Sequence, residues 1–219
     1  AIPQRANVNV KILATDISEE RLRYLRDRLQ PLADRRGIKL VCRDVSKPAG
    51  LEEEIRGLTG GRGFDDIVVL APVAKLVEHA AGFLGAKGLM NVFAGVPLGT
   101  LATLPVSIFP ERQARVIGSS GSSMDDIRGV LEKMEAGRLA TRMSLAALGG
   151  IETAAEGIRG VKDGRFPGKT VMFPQLQGLP LQRPEDLKAV CPAVAAALEP
   201  GGVWTNAAEE ALLGQMLRF

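Results

Sequence analysis

The stretch KILATDISEERLRYL, residues 11–25, joins an apolar strand pattern to an acidic residue and then to a helix. Residues 8–16 are apolar and β-branched, which is typical of a buried strand, and the pattern stops abruptly at Asp16. Ser18 is a suitable N-cap for the helix, because the next two residues are acidic and the helix dipole favours acids in the first turn. Residues 1–10 contain no glycine, so no glycine-rich phosphate loop precedes the acid within this sequence.

The same alternation of strand and helix continues to about residue 137. Apolar runs on both faces of each strand are typical of parallel strands covered by helices on both sides. The sequence therefore predicts an α/β fold with a doubly wound, Rossmann-type parallel sheet. The first helix is predicted to end at Pro31 and the following RRG. Further strands are predicted at 38–44, 64–73, 88–96 and 114–123, and helices at 51–58, 74–84 and 124–137, the last capped by Ser123.

The last third of the chain has a different pattern. It predicts one helix at about 151–163, one short strand at 169–173 and a helix that starts at Pro184. A final amphipathic helix carries Asn206 and Glu209 at capping-box spacing. We therefore predict a C-terminal α/β segment followed by a helical tail. The predicted division of the chain is 1–121, 122–175 and 176–219.

Composition excludes several classes of function. The chain has 219 residues, and its net charge of +3 comes from scattered basic residues rather than from a patch that could bind nucleic acid. Its two cysteines, Cys42 and Cys191, form no CxxC motif, so neither a disulfide framework nor a zinc ribbon is indicated. No apolar run reaches the ~18 residues that a membrane span needs. We expect a cytoplasmic protein with neither nucleic-acid nor membrane partners.

Asp16 is the first candidate site residue. In doubly wound sheets ligands bind beyond the carboxyl ends of the strands, and an acid there can accept hydrogen bonds from a ribose. Because an acid also repels a ribose 2′-phosphate, Asp16 favours NAD over NADP. Arg21 could lie over an adenine or soften that preference. The alternative is that Asp16 only helps to cap the helix, and the residues alone do not decide between the two.

The other strand ends, LAPV (70–73), FAGVP (93–97) and GSSG (118–121), are small or apolar with free backbone groups. Such walls suit a flat nicotinamide or adenine ring, although each one alone is equally typical of a tight turn. GRFPGKT (164–170) does not fit a phosphate loop, because only three residues separate its glycines and a strand follows it. With His79 as the single histidine, no catalytic triad can be assembled and the catalytic residues stay unknown.

Five segments in order resemble the C-terminal half of a medium-chain, zinc-type alcohol or polyol dehydrogenase. The likeness covers about residues 8–175 and is nearest to the sorbitol dehydrogenase and L-sorbose 1-phosphate reductase branch. The segments are ILATDISEERL, GFDDIVVLAPV, GLMNVFAGVPLG, ARVIGSSGSSMDDIRGVLEKMEAG and GIETAAEGIRGVKDGRFPGKTVMF.

The resemblance implies a set of cofactor-binding positions. Asp16 matches the ribose-binding acid and Arg21 the basic residue beside the adenine. Lys169 matches a basic residue near the pyrophosphate. The positions that match the wall beside the ribose and the two backbone clamps on the nicotinamide amide are Ala71, Pro72 and Val73, then Ala94, Gly95 and Val96, and finally Ser119 and Gly121.

The resemblance also implies what this sequence does not contain. The first strand, the phosphate loop and an N-terminal catalytic domain that holds the zinc would all precede residue 1, so this chain alone is expected to be inactive and to hold no metal. NAD is the implied cofactor and a polyol or sugar phosphate the implied substrate. A homo-oligomer, a dimer or a tetramer, is implied as well.

Two other functions stay open from the sequence. S-adenosylmethionine-dependent methyltransferases also place an acid on a ribose, but they need a glycine-rich first turn and a late antiparallel hairpin, and neither is indicated here. A non-catalytic nucleotide-binding module would also explain the lack of catalytic residues.

Overall fold

The computed structural model describes residues 9–119 and 121–217 and divides into two compact α/β units. One comprises residues 1–47 and 130–219, and the other comprises residues 48–129. All the pairs of named strands in the described residues are parallel. The mixed α/β prediction with parallel sheets is confirmed, whereas the three-part division of the chain stays a prediction.

The opening stretch folds as predicted. β1 (Lys11–Asp16) leads through Ser18 into α1 (Glu19–Arg35), and β2 (Lys39–Asp44) then pairs with β1 in parallel. The Ser18 hydroxyl oxygen accepts a hydrogen bond from the backbone N–H of Arg21 at 3.4 Å, which satisfies one of the free donors at the helix start.

The predicted end of the first helix at RRG (35–37) agrees with the structure, whereas the prediction that Pro31 helps to end it is wrong. Pro31 lies inside α1, and the helix continues to Arg35 because Leu22 and Ala33 on its apolar face are both buried. A proline removes one helical hydrogen bond but does not remove the packing of that face. The chain turns only at Gly37, whose φ of 63° is in the left-handed region that glycine adopts without strain.

The second unit contains a three-stranded sheet in the order β3–β4–β5. Its buried core is apolar and includes Val69, Ala81, Leu84 and Met90. β3 and β5 are shorter than predicted, and β4 begins and ends four residues earlier than predicted, so residues 70–73 and 93–96 lie in loops. The elements are α2 (Leu51–Thr59), β3 (Phe64–Val69), α3 (Ala74–Gly82), β4 (Leu84–Val92), α4 (Ile108–Arg112) and β5 (Arg115–Gly118), followed by α5 (Met124–Glu135).

The strand pairing among the described residues matches two parts of a Rossmann sheet. The order of such a sheet is 3-2-1-4-5-6, so strands 2 and 3 pair, strands 4 to 6 pair in sequence, and strand 1 joins the two groups. The described strands form one β1–β2 sheet and one β3–β4–β5 sheet, which are those two groups. The pairing therefore agrees with the predicted fold class.

The last third of the chain contains a strand that the sequence analysis missed. β6 (Leu145–Gly150) pairs in parallel with the predicted strand β7 (Lys169–Phe173), and all six of its residues are buried. Its sequence, LAALGG, is poor in β-branched residues, so burial and not propensity makes it a strand. The helices here are α6 (Ala154–Lys162), α7 (Pro192–Ala196) and α8 (Asn206–Met216), with 3₁₀ turns at Thr141–Ser144, Ile151–Thr153 and Pro184–Ala189.

The helices after β7 pack onto β6 and β7 as part of one core. Leu148, Leu187, Val194 and Leu212 are fully buried there beside Trp204. The N-cap of α8 is Thr205, whose hydroxyl accepts from the N–H of Ala208 at 3.0 Å, so the predicted cap at Asn206 is wrong by one residue.

Glu209, the predicted partner of Asn206 in the capping box, accepts a hydrogen bond from the Trp204 indole N–H at 3.2 Å. Across the described part of the chain, no helix has the length and apolar character that crossing a membrane requires.

Candidate cofactor-binding site

Asp16 lies at the carboxyl end of β1 with its carboxylate partly open to solvent. One carboxylate oxygen, Oδ1, accepts from the backbone N–H of Ser18 at 2.9 Å and faces the Arg21 guanidinium at 3.5 Å. The Asp16 side chain is 28% exposed and that of Arg21 is 47% exposed. The structure thus brings these two predicted residues together, in an ion pair that is long and solvated and therefore weak.

A second acid, Asp44, occupies the equivalent place on β2 and was not singled out from the sequence. It is the register partner of Asp16. The Ser46 hydroxyl donates to its Oδ1 at 2.6 Å and the Ser46 N–H donates at 2.8 Å, and these bonds lower the pKa of Asp44. The sequence could have indicated this acid, because CRD (42–44) ends an apolar strand just as ATD (14–16) does. The carboxyl edge of the β1–β2 sheet therefore carries two neighbouring carboxylates.

In the second unit, four of the predicted residues line one pocket at the ends of β4 and β5. We call it the strand-end pocket, and its volume is about 340 Å³, within the range of small-ligand sites. Its walls are mostly backbone and small side chains, as a flat ring requires. The lining residues are Val92, Ala94, Gly95, Val96, Gly118 and Ser119.

Backbone hydrogen bonds shape the strand-end pocket. The N–H groups of Phe93 and Ala94 both donate to the Val69 carbonyl at 3.0 Å, and the N–H of Val96 donates to the Ala94 carbonyl at 2.8 Å. This tight turn leaves Gly95 at the open side, where a Cβ would meet no atom within 4 Å. Just after β5, the Ser119 N–H donates to the Val92 carbonyl at 3.3 Å and closes the wall.

Ala71, Pro72 and Val73 follow β3 but are not among the residues that line the strand-end pocket. They form a turn of their own, in which the Val73 N–H donates to the Ala71 carbonyl at 2.8 Å. Gly121 has a φ of 77° and open space at its Cβ position. Their proposed roles at the cofactor stay predictions.

Lys169 is exposed and is the first residue of β7, paired with Leu145 at the start of β6. It therefore lies at the amino edge of its sheet, whereas the general rule for ligands concerns the carboxyl edge. The turn before it approaches α1, since a Cβ on Gly164 would lie 3.1 Å from Nη2 of Arg21. The role of Lys169 beside a pyrophosphate also stays a prediction.

Within the two described ranges, no group of three or more His, Cys, Asp or Glu side chains is arranged to hold a metal ion. His79 instead stacks edge-on against Phe83, with ring centroids 4.8 Å apart. The zinc of the implied family thus has no fitting ligand set among these residues.

Comparison with known proteins decides the family. The profile of a family described as zinc-binding dehydrogenase matches residues 5–136. The chain belongs to this family. The match supports the dehydrogenase interpretation over the methyltransferase one. The family assignment covers β1 to α5, which hold every predicted cofactor position except Lys169.

Two curated relatives match long segments of this chain. The chain is 28% identical to mannitol-1-phosphate 5-dehydrogenase of Aliivibrio fischeri over 215 residues, which are 93% of this chain and 50% of that protein. It is 31% identical to L-sorbose 1-phosphate reductase of Klebsiella pneumoniae over 106 residues, 48% of this chain and 26% of that protein. The chain spans about half the length of the curated relatives that it matches over nearly its whole length.

Solved structures agree on the fold. An NAD-dependent alcohol dehydrogenase is 28% identical, with a TM-score of 0.53 over 74% of this chain and 43% of the other. An alcohol dehydrogenase zinc-binding domain protein from Burkholderia ambifaria is 22% identical, with a TM-score of 0.57 over 78% of this chain and 42% of the other. The likeness to the second structure shows the fold alone.

Proposed function

We propose that this chain is the nicotinamide-binding half of a zinc-type dehydrogenase or reductase that interconverts an alcohol and a carbonyl by hydride transfer. The substrate is a polyol or a sugar phosphate, the class named in the two relatives of the polyol branch. The observation that carries the proposal is the partly exposed carboxylate of Asp16 at the carboxyl edge of β1 in a chain of this family.

Each half of the cofactor has its own residues in this proposal. Asp16 accepts hydrogen bonds from the adenosine ribose, with Arg21 beside the adenine. The backbone groups of the strand-end pocket orient the nicotinamide amide, and Gly95 leaves the room that a ring needs there. Bound NAD supplies the hydride acceptor, whereas the chain's own residues bind and orient it. Zinc is expected only in a part of the protein that this chain does not cover.

Asp16→Asn tests the ribose role against the capping role. Asparagine keeps an oxygen that can accept from the Ser18 N–H but removes the charge. We expect the affinity of the full-length protein for NADH to fall about 10- to 100-fold, since hydrogen bonds to charged groups contribute about 1.5–3 kcal/mol. The preference for NADH over NADPH should fall too, because the carboxylate no longer repels a 2′-phosphate. Isothermal titration with both cofactors measures this.

The control for this experiment is Asp34→Asn, an exposed acid further along α1 that accepts from Gln30. Its NADH affinity should equal that of the wild type. If Asp16→Asn also binds NADH normally while Asp16→Ala lowers only the melting temperature, then Asp16 is a capping residue and the ribose role is wrong.

Gly95→Leu tests the strand-end pocket. Because no atom lies within 4 Å of the Cβ position, the protein should fold normally while the new side chain occupies the nicotinamide space. We expect NADH to bind at least about tenfold more weakly, a loss of ~1.4 kcal/mol. The matched control is Gly129→Leu, which also has open space at its Cβ position. Equal NADH affinities in the two variants would contradict the assignment.

A homo-oligomer, a dimer or a tetramer, remains part of the proposal. β5 is the last strand of its sheet and pairs only with β4 among the described strands. An unpaired strand edge is a ready surface for pairing with another chain. This supports oligomerisation through residues 115–118.

A further inference from the structure

A second pocket contains a buried arginine, Arg28, that has no acidic partner. Arg28 is on α1, well after Asp16 in the sequence. Arg28 is only 6% exposed, although it is charged at any physiological pH. Among residues 9–119 and 121–217 it forms no ion pair, and its Nε has no hydrogen-bond acceptor. Buried charges in proteins are normally paired, so this guanidinium lacks its usual partner.

The rest of the Arg28 side chain is held firmly. Its guanidinium carbon lies 3.6 Å from the centroid of the Tyr24 ring, and its Nη2 donates to the Gly202 carbonyl at 3.2 Å. Burial raises the pKa of Tyr24, and its protonated hydroxyl donates to the Leu145 carbonyl at 2.8 Å. The stacking and the single backbone bond fix the plane of the guanidinium without using Nε.

Arg28 lines a pocket of about 430 Å³, which we call the Arg28 pocket. One wall is the turn at Gly201 and Gly202, whose φ angles are 80° and 71°. A Cβ on Gly201 would lie 2.8 Å from the Asp27 carbonyl oxygen, so the turn can approach α1 this closely only because it is glycine. A Cβ on Gly202 would lie 3.5 Å from Nη2 of Arg28 and so would fill the space beside it.

The charges around the Arg28 pocket are unevenly paired. Arg183 is neutralised by Glu20, with the two charged groups 2.6 Å apart. Arg23 adds a further cation and Asp27 a further acid. Glu185 is the acid on the Gly202 wall, where its Oε2 would lie 3.0 Å from a Cβ on that glycine. A ligand between Arg28 and Glu185 therefore meets a fixed cation on one side and an acceptor on the other.

We propose that the Arg28 pocket binds a small metabolite through a carboxylate or phosphate group that accepts hydrogen bonds from Arg28, while hydroxyl or ammonium groups of the ligand donate to Glu185. Arginine is the residue best suited to such oxyanions, because its planar group presents several donors in a fixed geometry. This site is distinct from the strand-end pocket and from Asp16, and it does not depend on the proposed function.

The test uses inorganic phosphate and acetate as probes on the ¹⁵N-labelled protein, with sodium chloride at matched ionic strength as the control. The Nε–H resonance of Arg28 is followed by NMR, because it reports on the environment of the guanidinium of a residue that lines the pocket. We expect a saturable shift with one of the two oxyanions and none with chloride. The probe that saturates distinguishes a phosphate from a carboxylate ligand. No saturable shift with either oxyanion would overturn the proposal.

Variants make the test independent of one resonance. Arg28→Met should weaken binding of the saturating probe at least about tenfold, as loss of a charged hydrogen bond implies. Glu185 is exposed, and Glu185→Gln should strengthen binding of the probe several-fold, because it removes a negative charge that repels the anion. This variant still tests the site if Arg28→Met does not fold. Arg35→Met, an exposed arginine on the same helix, is the matched control. Wild-type affinity in Arg28→Met or in Glu185→Gln would refute the site.

Discussion

Leu212→Ala is expected to lower the free energy of unfolding by about 3–4 kcal/mol, one of the two largest effects that we predict. Leu212 is fully buried in the core that α8 forms with β6 and β7. Removing a buried leucine side chain loses its transfer free energy and leaves a cavity, and together these cost about 2.7–5 kcal/mol.

Trp204 provides the measurement for this variant. It is the single tryptophan of the chain, it is 3% exposed, and it lies in the same core as Leu212. Urea denaturation followed by its fluorescence therefore reports on the mutated core. Leu131→Ala is the control, because Leu131 is 51% exposed and should change stability by less than about 0.5 kcal/mol. Equal midpoints for the two variants would show that residues after 176 add little to this core.

Local chemistry predicted the order of the elements well. Ser18 and Ser123 start helices as expected, and at Ser123 the bonds are reciprocal. The Ser123 Oγ accepts from the Asp126 N–H at 3.1 Å, and the Asp126 carboxylate accepts from the Ser123 N–H at 2.9 Å. These bonds involve residues three apart, so the sequence contains all the information they need.

Tertiary packing decided the cases that the sequence predicted wrongly or missed. β6 is a strand because six small or aliphatic residues are all buried, which its composition does not reveal. Pro31 stays helical because α1 has buried residues both before and after it in the sequence. Glu209 binds Trp204 instead of completing the predicted cap. Each outcome depends on contacts between distant residues.

The candidate sites also include residues that the sequence predicted and residues that only tertiary packing reveals. Ligands of doubly wound sheets bind beyond the carboxyl ends of the strands, and this rule predicted Asp16 and the turn around Gly95 as site residues. The direction of the chain alone is enough to place both at that edge. The same rule could equally have pointed to Asp44, which ends the neighbouring strand. The Arg28 pocket was beyond sequence reasoning, since helix α1 looks like an ordinary charged surface helix until Gly201 and the 183–185 segment pack against it.

Gly63→Ala is expected to lower stability by about 3–4 kcal/mol in the unit that contains β3. Gly63 has a φ of 79°, which costs a residue with a Cβ about 1–2 kcal/mol. A Cβ there would also lie 2.7 Å from both the Gly85 backbone nitrogen and the Phe83 carbonyl oxygen. These are backbone atoms that cannot rotate away, and overpacking of this kind adds about 1–3 kcal/mol.

Gly60→Ala separates the cost of the backbone conformation from the cost of overpacking. Gly60 ends α2 with a φ of 63°, but a Cβ there would meet nothing within 4 Å, so we expect only the conformational cost of about 1–2 kcal/mol. Trp204 and Tyr24 both lie outside residues 48–129, so hydrogen exchange of the β3 amides is the appropriate measurement. The Phe64 N–H, which donates to the Phe83 carbonyl at 2.8 Å beside the new methyl group, should lose the most protection in Gly63→Ala. If both variants lose protection equally, then strand β4 moves aside at little cost and the close approach at Gly63 does not constrain the sheet.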